Sequence, residues 1–126
     1  MNTHLPTDSE LEILQVLWQH GPATVRFVND VINQHREVGY TSTLKTMQLM
    51  MDKGMLDRSI EDRVHYYSAS ISESQTQKGL LDEFVHTTLR GSPSALVMRM
   101  LGNGESNPDE LQRIKEIIAQ IEKQQN

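Results

Sequence analysis

Apolar side chains near the beginning of the chain recur three or four positions apart, the spacing of an α-helix: Leu11, Leu14, Leu17 and Trp18. Thr7 and Glu10, just before this set, have the pattern of a capping box, so we expect the helix to begin there. Gly21 and Pro22 end it, because glycine suits a helix C-terminus and proline cannot continue a helix. Thr24 is the expected cap of a second helix, whose apolar residues lie between positions 28 and 32.

A third helix is predicted over residues 41–53, after a polar loop at residues 33–39, and its two sides differ. At 3.6 residues per turn, one arc forms a core face: Tyr40, Thr43, Leu44, Met47, Met50 and Met51. The opposite arc is mostly small and polar: Thr41, Ser42, Lys45, Gln48, Leu49 and Asp52. Gly54 ends the helix. The methionines of the core face are best interpreted as packing residues, not as a metal site.

Two strand-like runs follow, at residues 56–60 and 64–69, joined at Glu61 and Asp62. Alternation along the second run puts Arg63, His65 and Tyr67 on one face and leaves Val64 and Tyr66, which we expect to pack, on the other. Three helices followed by a hairpin is the order of a winged helix-turn-helix domain. The predicted fold is therefore mainly α with a small β-hairpin wing, and residues 1–70 form the winged-helix DNA-binding domain.

Residues 71–126 are predicted to form a helical dimerisation region. A helix capped by Ser72 runs to about Leu89, a short apolar helix covers residues 94–101, and Asn107 and Pro108 begin a final helix. The expected dimer interface combines apolar residues of all three: Leu80, Leu81, Phe84, Leu96, Leu111, Ile114, Ile118 and Ile121. The alternative is that the last helix packs against the other two helices of the same chain.

The composition favours a cytoplasmic protein without catalytic chemistry. The chain has no cysteine, its first residues lack a secretory signal, and no apolar stretch approaches the ~18 residues of a membrane span. The five histidines are scattered without metal-ligand spacing. No nucleophile elbow, phosphate loop or zinc signature occurs, so we expect no enzyme activity, no metal and no cofactor.

The net charge of −5 weighs against nucleic-acid binding, because neutralising phosphates supplies most of the non-specific affinity for DNA. Residues 1–70 hold six Lys/Arg and nine Asp/Glu, and residues 71–126 hold six and eight, so neither half is basic. One alternative is therefore a winged-helix protein-interaction module that does not bind DNA.

The pattern nevertheless favours a DNA-reading helix. A helix in the major groove needs short side chains near its N-terminus and donors or acceptors that reach base edges. The expected DNA-contacting residues lie on the polar arc of the third helix, at the cap of the second helix and on the wing: Thr24, Thr41, Ser42, Lys45, Gln48, Leu49, Arg63 and His65. Acidic Glu61 and Asp62 at the wing tip oppose phosphate approach. The alternative is an amphipathic helix with a solvated face and a hairpin whose tyrosines cover the core.

Four segments together resemble the BlaI/MecI penicillinase-repressor family of winged-helix regulators. Residues 11–18 (LEILQVLW) resemble its first helix, residues 40–47 (YTSTLKTM) its recognition helix, residues 63–68 (RVHYYS) its wing, and residues 94–98 (SALVM) the start of a C-terminal helix. The resemblance covers nearly the whole chain. It implies a homodimeric transcriptional repressor that binds double-stranded operator DNA of palindromic sequence and regulates resistance or stress genes.

The family resemblance also implies a mode of release. In its best-known members a membrane sensor and metalloprotease system cuts the repressor in the short C-terminal helix, between an Asn and a Phe. The matching positions here are Arg99 and Met100, so the cleavage pair is absent and a protease acting there must have a different selectivity. An alternative is release by a small molecule bound between the C-terminal helices.

Overall fold

The computed structural model describes residues 5–102 and, further on, residues 109, 112, 116 and 119. The described elements follow one another as five helices and one hairpin, in this order: α1 (Asp8–His20), α2 (Val25–Ile32), α3 (Tyr40–Asp52), β1 (Leu56–Glu61), β2 (Val64–Ala69), α4 (Glu73–Thr88) and α5 (Pro93–Gly102). Contacts divide the chain into two compact units, one ending at Gly79 and one beginning at Leu80.

The first helix begins and ends as its sequence predicts. Thr7 Oγ1 accepts a hydrogen bond from the Glu10 amide at 3.2 Å, and Glu10 Oε1 accepts one from the Thr7 amide at 2.9 Å. This reciprocal pair satisfies two amide groups that a helix N-terminus otherwise leaves without partners. At the other end Gly21 has φ +82°, a conformation that glycine adopts without steric cost.

The core of the first unit lies where α1, α2 and α3 meet the base of the hairpin. Its fully buried side chains come from all three helices: Leu14, Val28, Met47 and Met50. The predicted core face of α3 is confirmed in its middle, where Thr43, Met47 and Met50 are buried. Tyr40 is a correction, since it is 39% exposed. It is the first residue of α3, so its ring lies at the rim of the core.

The two strands pair in antiparallel register, from Leu56 opposite Ala69 to Glu61 opposite Val64. The connecting residues are Asp62 and Arg63, with φ of +51° and +69°, as in the two-residue type I′ turn that matches the twist of a hairpin. The turn was predicted one residue earlier. Arg63 therefore lies in the turn and not on a strand face with His65.

Tyr67, not Tyr66, is the tyrosine that the hairpin buries. Tyr67 is 3% exposed, whereas Tyr66 is half-buried, so the expectation that Tyr66 packs and Tyr67 lies with exposed His65 was wrong in part. The cause is a third chain segment that the pattern did not reveal. Ala23 pairs with Tyr67 through two backbone hydrogen bonds of 2.8 and 2.9 Å, and this bridge fixes the hairpin to the segment between α1 and α2.

The first residues of α4 belong to the first unit. Trp18 Nε1 donates a 3.0 Å hydrogen bond to the Ile71 carbonyl, and Thr76 is buried. Ser72 caps α4 as predicted, because its Oγ accepts from the Gln75 amide. These contacts extend the unit past the predicted boundary at residue 70, to Gly79. The assignment of the two segments to DNA binding and dimerisation stays a prediction.

Within the second unit, α4 ends near Arg90 and Gly91, which have φ of +55° and +81°. Ser92 Oγ accepts from the Ala95 amide at the start of α5, which begins at Pro93, one residue before the predicted start. Four residues of the predicted dimer interface lie outside the described residues: Leu111, Ile114, Ile118 and Ile121. None of the described helices is both long and apolar enough to cross a membrane.

Candidate nucleic-acid interface

The outer face of α3 carries five of the predicted contact residues: Thr41, Ser42, Lys45, Gln48 and Leu49, all exposed. Leu49 is 50% exposed, so its methyl groups are available to a partner and not part of the core. The first turn of this face is formed by short hydroxyl side chains, which allow the helix to approach a surface closely. Lys45 and Gln48 follow one turn later. The arrangement is that of a helix whose outer face is available for contact.

The N-terminus of α3 has no side-chain cap. Its N-cap residue is Gly39, which offers no acceptor to the amide groups of the first turn. Such amide groups and the positive end of the helix dipole favour a negatively charged partner. In α1 and α2 the corresponding amide groups are capped by the hydroxyls of Thr7 and Thr24. The difference leaves the α3 N-terminus suited to contact a phosphate.

A buried amide fixes the start of α3 against α2. Asn29, on α2, is 6% exposed, and its Nδ2 donates to Thr43 Oγ1 at 2.8 Å and to the Val38 carbonyl at 3.2 Å. Because buried polar groups are costly without partners, this pair of bonds tolerates little displacement. The sequence analysis did not identify Asn29. Its only signal was a polar residue next to Val28 on the buried side of α2.

The loop before α3 is held by a second asparagine. Asn33 Nδ2 donates to the carbonyls of Asn29 and Val38, both at 2.8 Å, and Asn33 Oδ1 accepts from the Val38 amide. The loop at residues 33–39 is therefore closed by side-chain bonds that replace missing backbone ladders. With Asn29, these bonds give α3 a defined position relative to α2.

The C-terminus of α3 is attached to α1 through an ion pair. Lys53 Nζ lies 2.7 Å from Glu10 Oε2, and Glu10 is buried while Lys53 is 43% exposed. Burial raises the pKa of the Glu10 carboxyl, but the Lys53 ammonium and the Thr7 hydrogen bonds outweigh it and lower this pKa below its ordinary value of 4.5. Glu10 is therefore ionised near neutral pH and holds both ends of the contact between the two helices.

The wing presents Arg63 in its turn and His65 on β2, and both side chains are exposed. His65 lies opposite Ile60 and shares a hairpin face with Arg58, which lies opposite Tyr67. Arg58 is exposed and was missed, although alternation along residues 56–60 places it on the same face as Leu56. The wing therefore offers two arginines, together with Asp62 in the turn.

Thr24 is engaged in capping α2, since its Oγ1 accepts from the Phe27 amide at 3.1 Å. It also lines an open groove between the start of α2, the start of α3 and the wing, together with residues of all three: Val25, Arg26, Tyr40, Leu44, Val64, His65 and Tyr67. The groove brings Thr24 and His65 to one surface. Arg26, at the first turn of α2, is a further residue that the sequence analysis missed.

The acidic net charge does not describe this surface. Arg36 and Lys53 are paired with Glu12 and Glu10, both at 2.7 Å. By contrast, no carboxylate of the described residues lies within ion-pair distance of four other cations on α2, α3 and the wing: Arg26, Lys45, Arg58 and Arg63. The unpaired positive charge of the first unit is therefore carried by the elements that present the candidate interface. No cluster able to hold a metal ion occurs among the described residues.

The family model of the penicillinase repressor matches residues 6–120. The chain belongs to the penicillinase repressor family. The transcriptional regulator BlaI of Mycobacterium tuberculosis is 24% identical over 117 residues, covering 91% of this chain and 83% of that protein. The methicillin resistance regulatory protein MecI of Mammaliicoccus sciuri is 18% identical over 116 residues, covering 92% and 94%. The resemblance to the BlaI/MecI family is confirmed, and the chain is a transcriptional repressor of this family, whose members are not enzymes.

Two solved structures support the winged-helix architecture. The DNA-binding domain of the repressor BlaI superposes with a TM-score of 0.51 at 25% identity, covering 59% of this chain and 92% of that one. YusO of Bacillus subtilis superposes with a TM-score of 0.55 at 18% identity, covering 93% and 74%, which shows the fold only. The predicted winged helix-turn-helix fold of this penicillinase repressor family member is confirmed.

Proposed function

We propose that this repressor acts as a homodimer on a palindromic operator, with α3 of each copy in the major groove and the wing along the DNA backbone. The observation that carries the proposal is the exposed polar face of α3, whose helix is held at both ends by buried side chains. Asn29 positions its start and Glu10 its end. A rigid helix with an accessible face is what base recognition in the major groove requires.

The proposed roles follow from the chemistry of each side chain. The hydroxyls of Thr41 and Ser42 and the uncapped amides at Gly39 contact phosphate, since short donors at a helix N-terminus suit an anion. Lys45 contacts phosphate, and Gln48 pairs with the base edge of an adenine. Leu49 contacts a thymine methyl group. Thr24, Arg63 and His65 complete the contact with the backbone on either side of the groove.

Dimerisation supplies the second half of the operator. One recognition helix reads few base pairs, whereas two related by a two-fold axis read half-sites about 34 Å apart. In the described part of the second unit Leu81 and Phe84 on α4 are 49% and 45% exposed, and Leu80 and Leu96 are half-buried. We propose that these residues, with Leu111, Ile114, Ile118 and Ile121, form the dimer interface. Operator binding places the protein in the cytoplasm.

Two substitutions on α3 test the proposal. Lys45→Ala should weaken binding to every duplex and reduce the slope of log affinity against log salt by about 0.9, the value for one lost phosphate contact. Gln48→Ala should instead remove about 1–3 kcal/mol of discrimination at one base position and leave the salt slope unchanged. Fluorescence anisotropy with the duplex upstream of the gene, and with a scrambled duplex, measures both quantities. Equal losses on all DNA from both variants would contradict the assigned roles.

The net charge of −5 supports a second candidate, a winged-helix module that binds protein and not DNA. The same anisotropy experiment at about 50 mM salt separates the two, because electrostatic attraction to DNA is strong there. Binding of the unmodified protein to duplex DNA supports the repressor. Absence of binding to both duplexes favours the interaction module.

We propose that induction, where a membrane sensor and metalloprotease system acts on this repressor, requires local unwinding of α5. Arg99 and Met100 lie within this helix, and both are exposed. A protease binds its substrate as an extended strand, so an exposed helical bond must unwind before it is cut. The mass of the protein recovered from induced cells tests cleavage: two fragments joining at residues 99 and 100 support it. An intact mass together with loss of operator binding points to release by a ligand.

A further inference from the structure

Arg26 and Tyr40 form a contact between the first turn of α2 and the first residue of α3. The guanidinium carbon Cζ of Arg26 lies 4.7 Å from the centroid of the Tyr40 ring, within the range of a cation–π interaction. Tyr40 is 39% exposed and Arg26 is exposed, so the pair lies on the surface. Each residue thereby fixes the direction of the other at the point where the two helices begin.

Stacking leaves the donors of the guanidinium available. An arginine that stacks on a ring face directs its N–H groups outward in the plane of the guanidinium, where they match the two oxygens of a phosphate. Within residues 5–102 no carboxylate is paired with Arg26, whereas Arg36 donates to both oxygens of Glu12. Arg26 is therefore an oriented cation whose donors are not used inside the described fold.

The surroundings of Arg26 suit the sugar–phosphate backbone of a duplex. The open groove that it lines also contains the hydroxyl of Thr24 and the ring of His65. The α3 N-terminus, whose amides Gly39 leaves uncapped, starts at Tyr40 itself. Three kinds of phosphate ligand, a guanidinium, a hydroxyl and uncapped helix amides, thus lie around one groove.

We propose that Arg26, held by Tyr40, is the anchor through which α2 binds one backbone phosphate of the duplex, while α3 reads the bases. Tyr40 acts as a positioning residue: it keeps the guanidinium oriented before DNA arrives, so that less side-chain freedom is lost on binding. The inference rests on the proposed function, because it requires that the protein binds duplex DNA. It adds an anchor on α2 to the contacts of α3 and the wing.

The first test is the salt dependence of binding by Arg26→Gln, measured by anisotropy on the duplex upstream of the gene and on a scrambled duplex. The expected result is an affinity loss of the same factor on both duplexes and a salt slope about 0.9 smaller than that of the unmodified protein. Arg99→Gln, which removes an equal charge from exposed α5, is the matched control and should leave the slope unchanged. Far-ultraviolet circular dichroism and thermal unfolding confirm that both variants fold.

The second test isolates the role of Tyr40. Tyr40→Leu should weaken DNA binding in the unmodified protein and have little effect when Arg26 is already glutamine, because the ring acts through the guanidinium. Arg26→Lys should retain the salt slope but lose affinity, since an ammonium keeps the charge without the planar pair of donors. Equal effects of Tyr40→Leu in both backgrounds would overturn the positioning role.

The outcomes distinguish this inference from the function on which it rests. If the unmodified protein binds DNA and Arg26→Gln leaves the salt slope unchanged, the anchor is wrong and the repressor function stands. A loss confined to one base sequence would also overturn it, since a phosphate contact carries no sequence preference. If the unmodified protein binds neither duplex at low salt, the proposed function itself fails.

Discussion

At the scale of single residues, the polar groups of the first unit divide into those bonded inside the fold and those left on the surface. Asn29 and Glu10 are buried and fully engaged, and they determine where α3 begins and ends. Arg26, Lys45, Arg58 and Arg63 have no carboxylate partner within the described part of the chain. Substitution of the first group should change stability, and substitution of the second should change binding.

Replacing Asn29 with alanine should lower the free energy of unfolding by about 1–3 kcal/mol, because Thr43 and the Val38 carbonyl lose a buried donor. Urea denaturation followed by circular dichroism measures the change. Asp30→Ala, at the exposed neighbouring position on α2, is the control and should stay within about 0.5 kcal/mol of the unmodified protein. Equal stabilities of the Asn29 variant and the unmodified protein would show that the bonds do not fix α3.

Replacing Glu10 with glutamine should lower the free energy of unfolding near neutral pH by about 1–2 kcal/mol, since a charged hydrogen bond to half-exposed Lys53 becomes a neutral one. The pKa of Glu10 is lower in the folded protein than its ordinary value of 4.5. The carboxylate therefore adds stability above that pH and loses it as the pH falls through the folded pKa.

The difference in unfolding free energy between Glu10→Gln and the unmodified protein should accordingly be largest near pH 7 and shrink at about pH 3.5. Urea titrations at both pH values measure it. Glu12→Gln, which removes the exposed partner of Arg36, is the control and should cost less than about 1 kcal/mol. A Glu10 difference that is constant or grows on acidification would contradict the lowered pKa.

At the scale of elements, the wing combines a strained turn with a proposed DNA contact. Arg63 has φ +69°, which costs a side chain with a Cβ about 1–2 kcal/mol relative to glycine. The natural choice for the second position of such a turn is glycine, as in the Asn-Gly pair. An arginine in this position is therefore better explained by what its side chain binds than by the needs of the hairpin.

Arg63→Gly should consequently have opposite effects on stability and on DNA binding. The midpoint of thermal unfolding should rise, by an amount equivalent to about 0.5–1 kcal/mol, as the left-handed strain is relieved. The affinity for every duplex should fall, with a salt slope smaller by about 0.9. Arg63→Ala serves as the control, because it removes the guanidinium without relieving the strain. An unchanged affinity in both variants would exclude Arg63 from the interface.

At the scale of the whole molecule, a repressor of net charge −5 can bind DNA if its positive charge is local. Ion pairs with Glu10 and Glu12 withdraw Lys53 and Arg36 from the field, and the unpaired cations lie on α2, α3 and the wing. Field strength near a surface depends on charges within a Debye length, about 8 Å in physiological salt, rather than on the total. The composition is thus a poor guide to the partner of this protein.

Introducing a charge at the proposed dimer interface should separate the copies. Phe84→Glu should weaken self-association at least about tenfold, because a carboxylate without a partner resists burial. Sedimentation equilibrium measures the dimer, and affinity for a duplex with two half-sites should fall while affinity for one half-site is retained. His86→Glu adds a carboxylate at an exposed position about 200° around the same helix and is the control. An unchanged dimer would place the interface elsewhere.

The local features of the first unit were predictable because each depends on residues close in sequence. The capping box at Thr7, the cap at Thr24 and the polar outer arc of α3 follow from spacing and hydrogen-bonding capacity. The proposed site residues on α3 could be selected for the same reason, since the exposed side of a helix is set by its buried side. The positioning groups Asn29 and Asn33 could not, because their partners lie 5–14 residues away across a turn of the chain.

The sequence by itself determined the order of elements, the exposed face of α3 and the family, since periodicity, caps and motifs are properties of the chain in one dimension. Only the tertiary structure decided which tyrosine of the wing is buried, because the Ala23–Tyr67 bridge joins segments 44 residues apart. It also decided which cations remain unpaired, and it brought Arg26 against Tyr40. These outcomes depend on distances in space, which govern electrostatic and packing energies and which sequence spacing does not contain.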